Sequence, residues 1–471
     1  MTPDANDLCV FAIKRGDIEK RLDINYNLPQ YAHLISALRT KFGNNLKRIG
    51  DISDVICGPF GSAIKTSDYQ ESGIPLIRIA NISKDGYMDY SDIIYISEEL
   101  GNSLSRTQVS KGDIVISQRG SLGQCAVVDD TFPVQNISAN IIAVKNIKKV
   151  SAQFIHDYLL STIGHKLLER STSGQVQQKI TTQDIADILI PIGDDENKLS
   201  CVISRANERK RNEYKRAENI VIDSRKDVLK QLGLAFPDYK PALYSYIRLK
   251  NLLEFGIVCN THSSFMNKML YIMRINALYA GCLEDYVEVN PPTPNNRLDD
   301  NTMVSFVPMA SVEERNNVVH YEEKRYFEVK NGFTAFKKGD LLWAKITPCM
   351  QNGKAFCSDE MPTDFGFGST EFHVLRKKND KIHIPFLWVL LTDSSILESA
   401  QGMFSGSAGQ QRVSDAFLKK LPIVLPPLEV QIMLADKVFS ALKEARAKVQ
   451  LADSEWADTK AQFEKELLGE T

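Results

Sequence analysis

The residues best suited to chemistry lie in small-residue loops that carry cations and amides. Cys57-Gly-Pro-Phe-Gly-Ser62-Ala-Ile-Lys65-Thr66-Ser-Asp68 sets two glycines, two serines and Lys65 in one stretch. Such a loop lets backbone N–H groups approach a phosphate closely, and Ser62, Lys65 and Thr66 can hold it. Gln118-Arg119-Gly-Ser121-Leu-Gly-Gln124 follows a strand-like run and offers amide and guanidinium forks, whose geometry suits adenine and guanine edges. Farther along, Lys345-Ile-Thr347-Pro-Cys-Met-Gln351-Asn-Gly-Lys354 holds the corresponding place with different chemistry. A third pair, with Gln177, Gln178 and Lys179 in one copy and Gln410, Gln411 and Arg412 in the other, keeps its chemistry. Any one such loop would ordinarily be a solvated turn. Their recurrence at matched places lowers that bland reading.

Enzyme signatures are incomplete. Gly353-Lys354 would need Gly at 348 and Ser or Thr at 355 to form a phosphate-binding P-loop, but Pro348 and Ala355 stand there. Asn290-Pro291-Pro292 resembles a methyltransferase base-holding turn but lacks its aromatic residue, Thr293 following instead. Glu328-Val-Lys330 has no upstream Pro-Asp to complete a nuclease site. Seven histidines and eight cysteines show neither H-E-x-x-H nor C-x-x-C spacing, so no catalytic residue and no metal are expected, and the cysteines are expected to be reduced.

The balance of 57 Lys plus Arg against 59 Asp plus Glu gives a net charge of -2, which excludes binding nucleic acid by bulk charge but permits local basic grooves. Asp4 and Asp7 stand where a signal peptide would be positive, and the longest apolar run elsewhere, Phe386 to Leu391, is far short of the ~20 residues of a membrane span. A cytoplasmic protein without a membrane segment is expected.

The elements that must position the loops occur twice. Lys111-Gly112-Asp113 answers Lys338-Gly339-Asp340 at an offset of 227, Ala80-Asn81-Ile82 answers Ala310-Ser311-Val312 at 230, and Gln177 answers Gln410 at 233. Chance matches would not keep this order. Short β-branched runs, Ile74 to Ile79, Asp113 to Ser117 and Asn140 to Val144, read as strands, and Phe154 to Arg170 and Phe386 to Gln401 as helices. Each half ends in a Gly- and Pro-free helical segment. Leu199, Ile203, Ala217, Val221 and Val228 recur at helical spacing in the first, and Leu442, Val449, Trp456, Phe463 and Leu467 in the second. These narrow seams need a partner helix, and the economical partner is the other copy. The expected fold is mixed α/β (α+β): two tandem domains, 1–192 and 237–427, with helices over 193–236 and 428–471, in a pseudo-two-fold internal repeat.

The chain resembles the specificity subunits of Type I DNA restriction-modification enzymes. The resemblance rests on C-G-P-F-G-S-A-I-K-T-S-D-Y (57–69), G-I-P-L-I-R-I-A-N-I (73–82), K-G-D-I-V-I-S-Q-R-G-S-L-G (111–123), S-G-Q-V-Q-Q-K-I (173–180), S-G-S-A-G-Q-Q-R-V (405–413) and L-P-P-L-E-V-Q (425–431). In the second half the G-P-F-G loop has no counterpart, and Val-Asn-Pro-Pro-Thr stands near its place. The resemblance implies two target-recognition domains, each reading half of a bipartite double-stranded DNA sequence, with the helices paired as an antiparallel coiled coil. It implies two methyltransferase subunits as partners, S-adenosylmethionine bound to them rather than to this chain, and motor-nuclease subunits in the full restriction complex. Arg119 and Lys345, where the halves diverge, are the expected specificity residues; shared chemistry suits phosphate positioning. The rivals are a single-chain DNA methyltransferase or nuclease of a related system and a coiled-coil interaction protein with no role on DNA.

Overall fold

A computed structural model describes residues 22–59, 61, 63–119, 123–171, 179–193, 196–234, 279–292, 298–401, 404–405 and 411–468. The chain divides into two compact units, residues 1–214 with 449–471, and residues 215–448.

In the first unit an antiparallel sheet runs in the order Asp54–Cys57, Ile141–Lys145, Ile114–Ser117, Cys125–Val127. A second sheet runs Ile94–Ile96, Ile74–Ile77, Gln135–Ile137, Gln108–Val109, with its two middle strands parallel. Leu46–Arg48 pairs with Leu189–Pro191 to close the unit. The β-branched run Ile114-Val-Ile is apolar throughout because both faces of its strand are covered. Ile114 and Ile116 pack with Phe154, Tyr158 and Leu167, whereas Val115 turns toward Ile77, Val109 and Ile137.

The second unit repeats this plan strand for strand. Its sheets run Val287–Val289, Phe372–Lys377, Leu341–Ala344, Ala355–Cys357 and Glu322–Arg325, Met303–Val307, Phe365–Gly368, Thr334–Lys337, again with the middle pair of the second sheet parallel. Leu341 and Trp343 face one core, and Leu342 and Ala344 the other. The Lys-Gly-Asp repeats are the tight turns before the buried strands. Gly112 and Gly339 adopt φ of 90° and 88°, a region that only glycine enters freely. Asp113 accepts the Ser110 N–H at 2.9 Å, and Asp340 the Lys337 N–H at 2.7 Å.

The two long helices span Glu196–Gln231 and Leu428–Leu468. In the first unit Ile203 shares a core with Phe463 and Leu467, and Tyr214 donates to Asp453 at 2.8 Å. In the second unit Val228 packs with Leu434, Val438 and Leu442, and Asp227 pairs with Lys437. Within each unit, later residues of one helix meet earlier residues of the other, so the packing is antiparallel. Ala217 is buried, Val221, Val449 and Trp456 are half-buried, and the Leu199 side chain lies outside the described residues. The expected narrow seam is thus incomplete as a helix-to-helix contact. At Phe463 and Leu467 it opens into the sheet core, because Phe154, Leu167 and their neighbours offer a larger apolar surface than a single helix does.

Two expected helices are each broken in two. Ala152–Leu160 and Thr162–Ser171 replace one segment, and Ile384–Leu391 and Ser394–Gln401 the other. Ser161 donates to the Tyr158 carbonyl at 2.6 Å and accepts from the Gly164 N–H at 3.2 Å, a side-chain alternative to the helical ladder.

Candidate nucleic-acid interface

In each unit three chain segments converge at the end of the central buried strand. Gln118 follows Ile114–Ser117; its N–H donates to Asn140 O at 2.9 Å, and its carbonyl accepts from Ile180 N–H at 3.2 Å. Lys345 follows Leu341–Ala344; its N–H donates to Glu371 O at 2.9 Å, and its carbonyl accepts from Val413 N–H at 2.9 Å. The same two backbone bonds make Gln118 and Lys345 counterparts. Arg119 therefore answers to Ile346. Gln124 and Lys354 are also counterparts, their carbonyls accepting from Ser117 at 2.7 Å and from Ala344 at 2.9 Å.

The third segment enters at Gly58 and Asn290. Gly58 N–H donates to Ile141 O at 2.9 Å and Asn290 N–H to Val374 O at 2.7 Å, and each precedes a proline. A Cβ on Gly58 would stand 2.0 Å from the Ser138 carbonyl oxygen, so the first loop requires glycine at its entry. Asn290 sits two residues earlier in the sheet register, with φ of 53°, and donates from Nδ2 to His373 Nδ1 at 3.0 Å.

The expected contact residues separate into exposed and engaged sets. Arg119, Lys65 and Thr66 are exposed, and Gln124, Lys179, Lys345, Thr347, Gln351 and Gln411 are half-buried. Thr347 N–H donates to Gln411 O at 3.0 Å, which ties two of the expected loops together. Ser62, Ser121, Gln177, Gln178 and Gln410 lie outside the described residues. Gln118 is only 7% exposed, with its amide turned toward Cys57 Sγ at 3.9 Å, so it serves the scaffold rather than a free base edge. Arg412 grips Glu371 in a two-pronged pair at 2.8 and 2.6 Å, so its fork is already filled by a carboxylate. Lys354 reaches the Met309 carbonyl at 3.3 Å. The Arg412 hydrogen bonds hold the Glu371 carboxyl below its usual range against the opposing effect of burial, and the charges of Arg412 and Lys345 add to this.

Sequence reasoning missed Glu371 and His373. No local spacing marks them, since their partners lie about 40 or 80 residues away. His373 Nε2 donates to Val413 O at 2.9 Å, and its ring stacks on Trp343 at 6.3 Å between centroids. Burial pushes His373 below the ordinary histidine value, and the Val413 carbonyl opposes that push. A histidine held neutral in the folded state leaves the unfolded chain to take the proton. Stability of the second unit is therefore expected to be full above about pH 6.5 and to fall as the pH drops below that value. His373→Gln should flatten this dependence in urea titrations of the chain at pH 7.5, 6.5 and 5.5; an unchanged slope would contradict the assignment.

One buried cluster in the first unit pairs His156, Asp157 and Ser204. Ser204 donates to Asp157 Oδ2 at 2.6 Å rather than to the histidine, and His156 Nε2 is sealed by Gly86 O at 2.7 Å. A nucleophilic triad needs the serine against the free imidazole nitrogen, so this arrangement is structural. Among the described residues no cluster of His, Cys, Asp or Glu could hold a metal ion, and no helix is long and apolar enough to cross a membrane.

Comparison with known proteins gives the same two-fold division. The Type I restriction modification DNA specificity domain matches twice, over residues 43–199 and 281–446. The chain is 37% identical over 145 residues to the EcoAI specificity subunit of Escherichia coli, covering 31% of this chain and 24% of that protein. It is 36% identical over 146 residues to the EcoEI specificity subunit of Escherichia coli, covering 31% and 24%. The matched stretch thus spans about a quarter of each curated relative's length. A chain from a structural study of complex assembly and conformational transition in the type I R-M system aligns over 90% of this chain and 97% of its own length, at 14% identity and a TM-score of 0.45. With two matched copies covering most of its length, built on one strand plan and joined by the same loop-end hydrogen bonds, the chain belongs to the Type I restriction modification DNA specificity family.

Proposed function

We propose that the chain is the DNA sequence-recognition subunit of a Type I restriction-modification complex, non-catalytic itself. Each unit reads one half of a bipartite duplex target. Methyltransferase subunits, two per chain, dock on it and supply S-adenosylmethionine-dependent methylation, and motor-nuclease subunits complete the restriction complex in the cytoplasm. We take residues 1–192 and 237–427 as the recognition domains and 193–236 and 428–471 as the helices. A 36-residue helix measures about 54 Å, about one and a half turns of duplex.

One observation carries this reading. The two units share a strand order and the hydrogen bonds at the loop ends, yet the residue that follows the held position is the exposed Arg119 in one and the half-buried Ile346 in the other. A fixed frame with exchanged side chains suits two readers of different sequences.

The test is binding of duplex DNA by the chain together with its methyltransferase partner, on sites found by mapping methylated positions in a host carrying the system. Arg119→Ala is expected to lose about 1–3 kcal/mol of discrimination at one half-site only. Uniform weakening across sequences would make Arg119 a phosphate contact. The isolated chain is expected to bind no S-adenosylmethionine, and binding of the methyl donor would favour a single-chain methyltransferase.

A further inference from the structure

In both units a turn follows the short 3-10 helix that ends at Asn81 or Ser311. Ser83 N–H donates to Tyr87 O at 2.9 Å in the first, and Glu313 N–H to Val318 O at 2.9 Å in the second. Asp89 N–H to Asn81 O and His320 N–H to Ser311 O, both 2.9 Å, close the two turns at the same place.

The polar groups around each turn are largely spoken for. In the second unit Glu313 accepts from Asn316 at 2.6 Å, Glu314 from Asn352 at 2.8 Å, the Asn316 carbonyl from Arg446 at 3.1 Å, and Asn317 from the Cys357 N–H at 2.8 Å. The Arg315 guanidinium is exposed and has no hydrogen-bond or ion-pair partner among the described residues. In the first unit Asp85 pairs with Lys210 at 2.9 Å, its carbonyl accepts from Asn207 at 2.8 Å, and the Gly86 carbonyl from His156 at 2.7 Å. Lys84 is likewise exposed and without a partner there.

Arg315 is also held at a cost. Its φ of 53° lies in the left-handed region that arginine avoids, and such strain persists only where surrounding contacts fix it. Its N–H donates to Gly353 O at 3.2 Å. A Cβ on Gly353 would come within 2.7 Å of Arg315 Cγ, so the arginine stem lies against the very loop that carries Lys345, Gln351 and Lys354. Burial pushes Arg225 down to about 10; the Asp393 carboxylate opposes that push, and the charge of Arg315 adds to it.

We propose that Lys84 and Arg315 are matched phosphate contacts, one per recognition domain, which fix each domain's register on the duplex backbone; this rests on the DNA-recognition reading above. A cation in both copies suits a phosphate, which every duplex offers, rather than a base edge that differs between half-sites.

The experiment measures affinity of the complex of this chain and its methyltransferase partner for a target duplex across a salt series. Lys84→Ala and Arg315→Ala should each make the slope of log affinity against log salt shallower by about 1, and the double variant by about 2. Preference for the target over single-mismatch duplexes should not change. Arg315→Lys should keep the original slope. Lys84 sits on a turn without this strain, so Lys84→Ala with Lys84→Arg decides the matter alone if Arg315→Ala disturbs its turn. An unchanged slope overturns the proposal, as does loss of discrimination confined to one half-site. If the unaltered complex shows no salt-dependent duplex binding, the DNA-recognition reading fails and takes this inference with it; if it binds and the variants match it, this inference alone fails.

Discussion

Trp388→Ala is expected to remove about 3–5 kcal/mol of stability from the second unit, enough to unfold a unit of ordinary stability. Trp388 is fully buried in the larger core, and its indole N–H donates to Ala355 O at 2.9 Å. Its ring packs against Phe439 at 5.3 Å between centroids and lies under the Arg225 guanidinium at 5.1 Å. Truncation would open a void among Leu341, Leu387 and Leu434, leave the Ala355 carbonyl without a donor and strip Arg225 of its aromatic face. That last loss matters because, among the described residues, the Arg225 guanidinium donates only to the Val389 carbonyl and the Thr392 hydroxyl, both at 3.1 Å. The fluorescence of the remaining tryptophans in a urea series measures the effect. A shift of the midpoint worth less than about 1 kcal/mol would mean that the core collapses around the gap. Trp388→Phe should recover part of the loss, since it refills volume but restores no hydrogen bond.

Asp157→Ala should be comparably damaging to the first unit, about 3–5 kcal/mol, because it removes the shared acceptor of a buried hydrogen-bonded set. Asp157 is fully buried and accepts from Gln153 at 2.8 Å and Ser204 at 2.6 Å, while His156 Nδ1 stands 3.0 Å from it. The set ties the helix Ala152–Leu160 to the first long helix and, through His156, to the turn at Gly86. Hydrogen exchange should show that turn losing protection along with the global loss in melting temperature. Asp157→Asn keeps the volume and one acceptor oxygen and should lie between the two. Equal melting of Asp157→Ala and the original chain would show that the cluster contributes no net stability.

These two sites differ in how far the sequence announces them. Trp388 falls in the apolar run Phe386 to Leu391, and its burial follows from composition alone. The His156–Asp157 pair looks like two solvated side chains in a helical segment until Gly86, 70 residues back, is folded against it.

What the amino-acid order determined by itself is whatever repeats or has a local period. The duplication, the Lys-Gly-Asp turns, the buried strands after them and both long helices were legible because each is written over neighbouring residues or at a fixed offset near 230. What only the tertiary structure decided is which side chains remain free. Gln118 and Arg412 carry the right groups for DNA, yet one is buried beside Cys57 and the other is held by Glu371. Arg315, in a turn with no motif, is left without a hydrogen-bond or ion-pair partner among the described residues. The reason is physical: a side chain's availability depends on partners brought from dozens of residues away, and spacing along the chain records the frame rather than those meetings.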